Sequence, residues 1–256
     1  MPENDLALLV RAASRAGDVA LAHWRGDPQV WTKADGSPVS AADLAVDAAL
    51  HELLHEARPD YGWISEETDD DDDRLGRDAV FVIDPIDGTR AYLEGRPDWA
   101  LSLAVARGGR VVAGVVHMPA RGFTYAAALG QGATLNDTAL RASATEKVAG
   151  STMLASRTTY AARNWRGGVP AFERKFRSAM AWRLALVGEA HCDATMTLTP
   201  AWEWDIAAGS LIATEAGARV TDRHGAELAF NSPTRRADGL LAAPPALHRA
   251  ILSSLA

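Results

Sequence analysis

The sequence predicts a mixed domain of layered α/β or α+β type, on three observations. Apolar residues recur at helical spacing in the first 60 residues and again after residue 205, short β-branched segments fill residues 79–128, and the two kinds do not alternate as repeated βαβ units. The 256 residues are 48% hydrophobic and 23% charged, which suits a folded globular chain and excludes coiled-coil, collagen-like and wholly disordered classes. Surface scaling for this length gives roughly 11,000 Å² accessible when folded against about 39,000 Å² unfolded, so a full core is expected. No repeat, proline-rich linker or Gly/Ser tract divides the chain. Residues 1–256 are read as one domain, with a subdivision into about 1–140 and 141–256 permitted.

Leu6 to Trp24 is rich in Ala and Leu and carries only Gly17 as a breaker, which predicts a helix. Lys33-Ala34-Asp35-Gly36-Ser37-Pro38 reads as a turn, since Asp, Gly and Pro each favour one. A second helix is expected from Ser40 as N-cap, with Val46, Leu50, Leu53 and Ala57 as its apolar stripe and Arg58-Pro59 as its end. Ala79 to Ile83 predicts a strand running into the turn Asp84-Pro85-Ile86-Asp87-Gly88-Thr89. Trp99–Ala106, Val111–His117 and Gly122–Ala128 then read as an antiparallel meander. Ile206 to Ala216 is expected to be helical and to stop at Gly217, with a strand over Ala218 to Thr221.

Charge and cysteine content narrow the partners. With 26 Lys and Arg against 33 Asp and Glu, the net charge of −7 works against binding long nucleic acid, whose affinity comes from neutralising many phosphates. Cys192 is the single cysteine, so no intrachain disulfide forms and a reducing compartment is expected. The start of the chain, Met1-Pro2-Glu3-Asn4-Asp5, is acidic where a secretory leader is basic, and no apolar run nears the roughly 18 residues of a membrane span. A cytoplasmic protein acting on a small metabolite is the expectation, without membrane or long nucleic acid as partner.

Carboxylates gather at Asp43, Glu66-Glu67, Asp84 with Asp87, and Asp205. Hard cations such as Mg²⁺ take oxygen ligands, commonly one or two carboxylates with water and substrate phosphate. An apolar strand delivers Asp84 and Asp87 into one turn, where two carboxylates repel unless a cation lies between them. Turn chemistry alone also explains that hexapeptide, a solvated pair explains Glu66-Glu67, and a helix cap explains Asp205. No Lys or Arg stands within these motifs to replace a cation. The acidic run Asp69 to Asp73 is expected to be a mobile, solvated loop, because adjacent like charges repel. His51-Glu52-Leu53-Leu54-His55 matches the zinc-protease pattern H-E-x-x-H, but at about 100° per residue both histidines fall opposite the apolar stripe and are expected to face solvent.

Taken together the motifs resemble the inositol monophosphatase family of metal-dependent, lithium-sensitive phosphatases. Asp84 to Thr89 with Tyr92 resembles its D-P-x-D-G-T-x-x-F signature, and Ile64-Ser65-Glu66-Glu67 its G-E-E. Trp204-Asp205-Ile206-Ala207-Ala208-Gly209 through Glu215-Ala216-Gly217 resembles its W-D-x-A-A-G…E-A-G, and Ser37 to Asp43 the upstream V-T-x-x-D. Ser65, Ser40 and Tyr92 are mild departures. The resemblance implies a layered αβαβα sandwich, like inositol monophosphatase and fructose-1,6-bisphosphatase, often as a homodimer. It implies two or three Mg²⁺ ions: one held by Glu66, Asp84 and the Ile86 carbonyl, a second by Asp84, Asp87 and Asp205, and a weaker third aided by Asp43. Gly88 and Thr89 amides would cradle the phosphate, while Glu66 and Thr89 orient the attacking water.

The resemblance also bears on the substrate. Inositol-selective members place a glutamate seven residues before the W-D aspartate; here that place holds Leu198, beside Thr199. Ser65 and the Lys33–Pro38 stretch look more like the 3'(2'),5'-bisphosphate nucleotidase branch, with Arg183 as candidate for the second phosphate or, alternatively, a surface arginine over Leu184 and Leu186. Inositol-1-monophosphatase and histidinol-phosphate phosphatase are the alternatives within the family. Two rivals lie outside it. Asp84 to Thr89 superficially resembles the haloacid-dehalogenase motif D-x-D-G-T, with its aspartates one residue too far apart, and a non-catalytic metal-binding protein would carry the same acidic residues.

Overall fold

Residues 4–26, 29–34, 36–70 and 72–256 are described by the computed structural model, and their pattern of apolar faces stacks five layers. The outermost holds helices α1 (Asp5–His23) and α2 (Ala41–Ala57), joined through the hairpin β1 (Val30–Thr32) and β2 (Pro38–Ser40). Both helices lie on a seven-stranded sheet whose spatial order follows the chain: β3 (Gly62–Ser65), β4 (Ala79–Asp87), β5 (Ala100–Arg107), β6 (Arg110–Met118), β7 (Phe123–Ala128), β8 (Ala133–Leu135) and β9 (Thr138–Ala139). A short helix α3 (Thr89–Leu93) leaves the end of β4. Only β3 and β4 run parallel in this sheet.

The opposite face of that sheet carries α4 (Met180–Gly188) and α5 (Glu203–Glu215). Beyond them lies a second sheet of β10 (Thr152–Ala155), β11 (Glu173–Lys175), β12 (Ala194–Thr197), β14 (Arg219–Thr221) and β16 (Leu240–Ala243), in the order β11-β10-β12-β16-β14, with a separate pair of β13 (Ala201–Trp202) and β15 (Arg236–Ala237). Helix α6 (Pro245–Ser254) covers the far side. The result is the αβαβα sandwich that the resemblance implies. Its 11568 Å² of accessible surface sits close to the figure scaled from chain length.

Side chains of β4 alternate between two cores. Ala79, Phe81 and Ile83 pack under α1 and α2, while Val80 and Val82 face α4 and α5. A strand buried on both faces reads as a continuous apolar run, as this one does. The helix expected over Leu6–Trp24 is α1, and Ser40 caps α2 with a full capping box. The buried stripe of α2 runs through Val46, Leu50 and Leu54, with Leu53 and Ala57 half-buried, one position round from the expected face. Helix α5 begins at Glu203, three residues before the expected Ile206, so Asp205 lies in its first turn and the cap position belongs to Trp202. Among the described residues no helix is long and apolar enough to cross a membrane.

Close approach between layers depends on small residues. A Cβ on Gly114 would lie 3.0 Å from Ala208 Cα, and one on Gly209 would lie 2.6 Å from Leu184 Cβ and 2.8 Å from the Ala181 carbonyl. Gly209→Ala is therefore expected to destabilise the protein by about 1–3 kcal/mol through overpacking at the α4–α5 crossing. Gly76→Ala meets nothing within 4 Å and serves as the neutral comparison in urea unfolding. Equal midpoints for the two variants would contradict this packing.

Candidate active site

Strand β4 carries Asp84 and Asp87 to its end, where the pairing with β5 shifts register between them and turns both carboxylates out of the simple alternation. Asp84 Oδ1 accepts the Ile86 N–H at 3.0 Å, which tightens the turn. Gly88 then takes φ 94°, and an added Cβ would stand 3.1 Å from the Asp98 carbonyl, so this position needs glycine twice over. Thr89 opens α3, its hydroxyl 3.2 Å from the Ile86 carbonyl and 3.5 Å from Asp43 Oδ1. Asp43 works at both ends: its Oδ2 accepts the Ser40 amide at 2.8 Å and the Ser40 hydroxyl at 2.6 Å, capping α2.

The partners arrive from distant elements. Glu66 and Glu67 follow β3, and the Glu66 amide donates to the Ile83 carbonyl at 3.2 Å, fixing the pair beside Asp84. Asp205 comes from the first turn of α5, which the buried Ser102 hydroxyl anchors by donating to the Trp204 carbonyl at 2.8 Å. The N–H groups of Met180 and Ala181, at the start of α4, donate to the two oxygens of Asp87 at 2.9 and 2.6 Å.

Electrostatics shows how tightly these groups are gathered. Burial first, then repulsion from Glu66, Asp87 and Asp205, pushes the Asp84 carboxyl well above the ordinary carboxylate range. Asp205 rises for the same reason, with Asp87 and Glu66 as its repelling neighbours. Burial pushes Asp87 up to about 7 against the pull of its two amide donors and the Arg183 charge, and burial raises Asp43 against its bonds to Ser40.

The structure supplies a cation that the sequence motifs do not contain. Lys33, beside the β1–β2 turn, places its Nζ 2.8 Å from both Glu66 Oε1 and Glu67 Oε1. Burial pulls its pKa down, but the two glutamates outweigh this and the net shift is upward. Glu67 is only 5% exposed and is pushed by burial to about 7, so the pair is not the solvated one that its residue types alone allow.

The donors fit a hard divalent cation. They are all oxygens, they repel one another, and Asp205 makes no hydrogen bond or ion pair among the described residues. No three acidic, His or Cys side chains of the described residues surround one point as they stand, with Lys33 instead neutralising Glu66 and Glu67. Because the folded carboxyls bind protons more tightly than unfolded ones, the stability they contribute without metal is full below about pH 4 and is lost as pH rises towards 7. Added Mg²⁺ should therefore raise Tm more at pH 7.5 than at pH 5. The paired comparison removes unrelated groups such as His248, whose burial lowers its imidazole to about 4. Equal gains at the two pH values would contradict a metal-binding carboxylate cluster.

Several sequence-based expectations need correction. Arg183 is 6% exposed, donating from Nε to the Arg177 carbonyl at 2.6 Å and from Nη2 to the Ser178 carbonyl at 3.3 Å, so it is not a surface arginine. It acts on Asp87 and Asp205 as a buried charge. Ser65 directs its hydroxyl to Asp47 of α2, which removes it from substrate choice. Leu198 packs against the core under α6 and lines a separate cavity of about 400 Å³ with Arg163, Thr199 and Arg223. His51 and His55 stack at 4.2 Å and meet the Trp63 ring, so His55 is half-buried rather than solvent-facing.

The acidic run is also ordered where it is described. The buried Arg74 donates to Asp70 at 2.8 and 2.6 Å, to Asn231 Oδ1 at 2.7 Å and to the Ser232 carbonyl at 3.1 Å. Glu203, fully buried at the start of α5, in turn accepts the amides of Asn231 and Ser232 at 2.6 and 2.9 Å.

Comparison with known proteins agrees with this arrangement. Residues 1–256 match the model of the inositol monophosphatase family. An inositol-1-monophosphatase from Mesorhizobium japonicum is 34% identical over 238 residues, covering 87% of this chain and 86% of that protein. A Nus factor SuhB from Pasteurella multocida is 30% identical over 98% of this chain and 95% of its own, and a histidinol-phosphatase from Chlorobaculum parvum is 33% identical over 61% and 60%. Among solved structures, an IMPase from Thermotoga maritima superposes with a TM-score of 0.83 at 26% identity, covering 96% of this chain and 94% of that one. None of these four is a bisphosphate nucleotidase. With the acidic motifs brought into one another's electrostatic reach in the same sandwich and the match running the length of the chain, this protein belongs to the inositol monophosphatase family of metal-dependent phosphatases, enzymes that hydrolyse phosphoric monoesters.

Proposed function

We propose that the chain hydrolyses small phosphate monoesters by in-line attack of water, with inositol 1-phosphate, the substrate named for the Mesorhizobium relative, as its reference substrate. The observation that carries this reading is the meeting of Asp84, Asp87, Glu66 and Asp205, each raising the charge burden of the next, beside the Asp43–Thr89 contact. Glu66, Asp84, the Ile86 carbonyl, Asp87 and Asp205 would hold two Mg²⁺ ions, with Asp43 near a third. When bound, Mg²⁺ supplies charge neutralisation for phosphate and leaving oxygen and lowers the pKa of water.

The chain's own groups do the rest. Gly88 and Thr89 amides hold the phosphate at the mouth of α3. Glu66 and the Thr89 hydroxyl orient the water, and its proton passes through Thr89 Oγ1 towards Asp43 Oδ1, 3.5 Å away, a carboxyl that burial makes more basic than an exposed one. Phosphate release from inositol 1-phosphate with added Mg²⁺ tests the reading. Silence across a panel of small monoesters, with the fold intact, would overturn it.

Glu66→Gln is expected to lower kcat more than Glu67→Gln. Glu66 faces both metal and water, whereas Glu67, bridged through Lys33, positions its neighbour. Equal losses in kcat would mean that the roles are misassigned. Two supports of the nucleotidase reading weaken: the Ser65 hydroxyl is engaged by Asp47, and the Arg183 guanidinium offered to a second phosphate is engaged by the Arg177 and Ser178 carbonyls. The homodimer implied by the resemblance is read directly by sedimentation.

A further inference from the structure

Arg157 to Arg177 inverts the charge of the chain. Six of its side chains are cationic against the single acid Glu173, in a protein of net charge −7. Three of the six, Arg157, Arg174 and Lys175, line one cavity of about 700 Å³ together with Ser156, Tyr160 and Phe176. It lies where the parallel strands β10 and β11 both end, their last residues in near register (Leu154 opposite Lys175). Ligands of parallel sheets gather at that end of the strands.

The positive charge there is poorly matched. Arg157 has no side-chain hydrogen bond or ion pair among the described residues, and Lys175 has only Glu173 at 3.2 Å, with both side chains well exposed. Arg174 stands over the Tyr160 ring at 4.6 Å. Arg183 stands over the Phe176 ring at 4.6 Å, yet Phe176 stays 56% exposed. The wall is also joined to the catalytic carboxylates. Four residues after Phe176 the backbone reaches Met180 and Ala181, whose N–H groups hold Asp87.

We propose that this cavity is a subsite for a second anionic group, carried on the alcohol portion of the phosphate ester and bound by Arg157, Arg174 and Lys175, with a planar part of the same molecule against Phe176. This rests on the monoester reading above and narrows its substrate class. Neither a neutral cyclitol nor an amine-bearing alcohol uses these cations. A guanidinium binds a phosphate or carboxylate through two parallel hydrogen bonds, and two such groups facing one cavity suit a dianion.

The test compares adenosine 3',5'-bisphosphate with adenosine 3'-monophosphate, which differ only in the second phosphate. Calorimetry with Ca²⁺ in place of Mg²⁺ keeps the carboxylates neutralised while the larger, geometrically looser ion suppresses turnover during the readout. The bisphosphate is expected to bind at least about tenfold more tightly, and Arg157→Ala/Arg174→Ala to erase that ratio, in line with losing charge-assisted hydrogen bonds. Arg163→Ala/Arg166→Ala removes the same charge from outside this cavity and should leave the ratio in place. Equal affinities in the wild type, a ratio that survives in the first double variant, or one erased equally by the second would each overturn the subsite. Failure of the monoester reading looks different: no phosphate is released from inositol 1-phosphate or from any other member of the monoester panel with Mg²⁺, whatever the binding ratio.

Discussion

Phosphate release is expected to fall to background in EDTA and to return when Mg²⁺ is added back. Lys33 pairs directly with Glu66 and Glu67, and the group formed by Asp84, Asp87 and Asp205 has no direct ion pair among the described residues, feeling Lys33 and the buried Arg183 only at a distance. A phosphate ester brings two more negative charges to carboxylates already burdened by one another, so without a divalent ion the site repels its substrate. Lys33 also bears on metal loading. If Glu66 were to hold a metal it would have to leave the Lys33 ammonium, so Lys33→Met should raise the apparent Mg²⁺ affinity of the fold, read as a larger Tm gain at low Mg²⁺. Undiminished turnover in excess EDTA would end the metal-assisted mechanism.

Asp205→Asn and Asp87→Asn are each expected to lower kcat by about 100- to 1000-fold, the loss of about 2.7–4 kcal/mol typical of removing one group that stabilises charge in the transition state. Asp205 makes no hydrogen bond among the described residues, so its amide variant breaks no structural contact and the expected change in Tm is small. Asp87→Asn differs in this respect. One of its oxygens must become an NH₂ facing the Met180 or Ala181 amide, which costs stability as well as rate. His51→Ala, which removes a ring stacked on His55 and Trp63, should keep full turnover. Activity that vanished with His51 and survived in both aspartate variants would revive the zinc reading.

Legibility followed locality. Asp84 to Thr89 could be read directly, because strand, turn and glycine stand consecutively and each residue has one reason to be there. Asp43 was half-legible: the spacing from Ser40 predicts a cap, but nothing in the spacing shows that its other oxygen faces Thr89 across 46 residues. Lys33 was missed because a lysine before Asp-Gly-Ser-Pro reads as part of a turn, and only the fold brings it against Glu66. Arg183 misled for the opposite reason. An arginine among leucines suggests a charged tip in solvent, whereas α4 lies between two sheets and has no solvent side. The second sheet was largely invisible, since strands of three or four residues with fully buried stretches such as Leu240–Ala243 carry no alternation to detect.

The clasp formed by Arg74 with Asn231 and Ser232 joins residues 157 positions apart, and it closes around the same turn of α5 that holds Asp205. During synthesis, then, the acidic turn of β4 leaves the ribosome long before its partners exist. At about 5–20 residues per second, the stretch from residue 87 to residue 240 takes roughly 8–30 s. Over that interval the first sheet has its α1–α2 cover but presents Val80, Val82, Ala104 and Ala106 bare on the face that α4 and α5 later occupy. A nascent chain in this condition is an apolar surface rimmed by carboxylates, a target for chaperones and not yet a catalyst. The acidic turn is complete only after α4 and α5 have been made and packed, because α4 supplies the amides that hold Asp87 and α5 supplies Asp205.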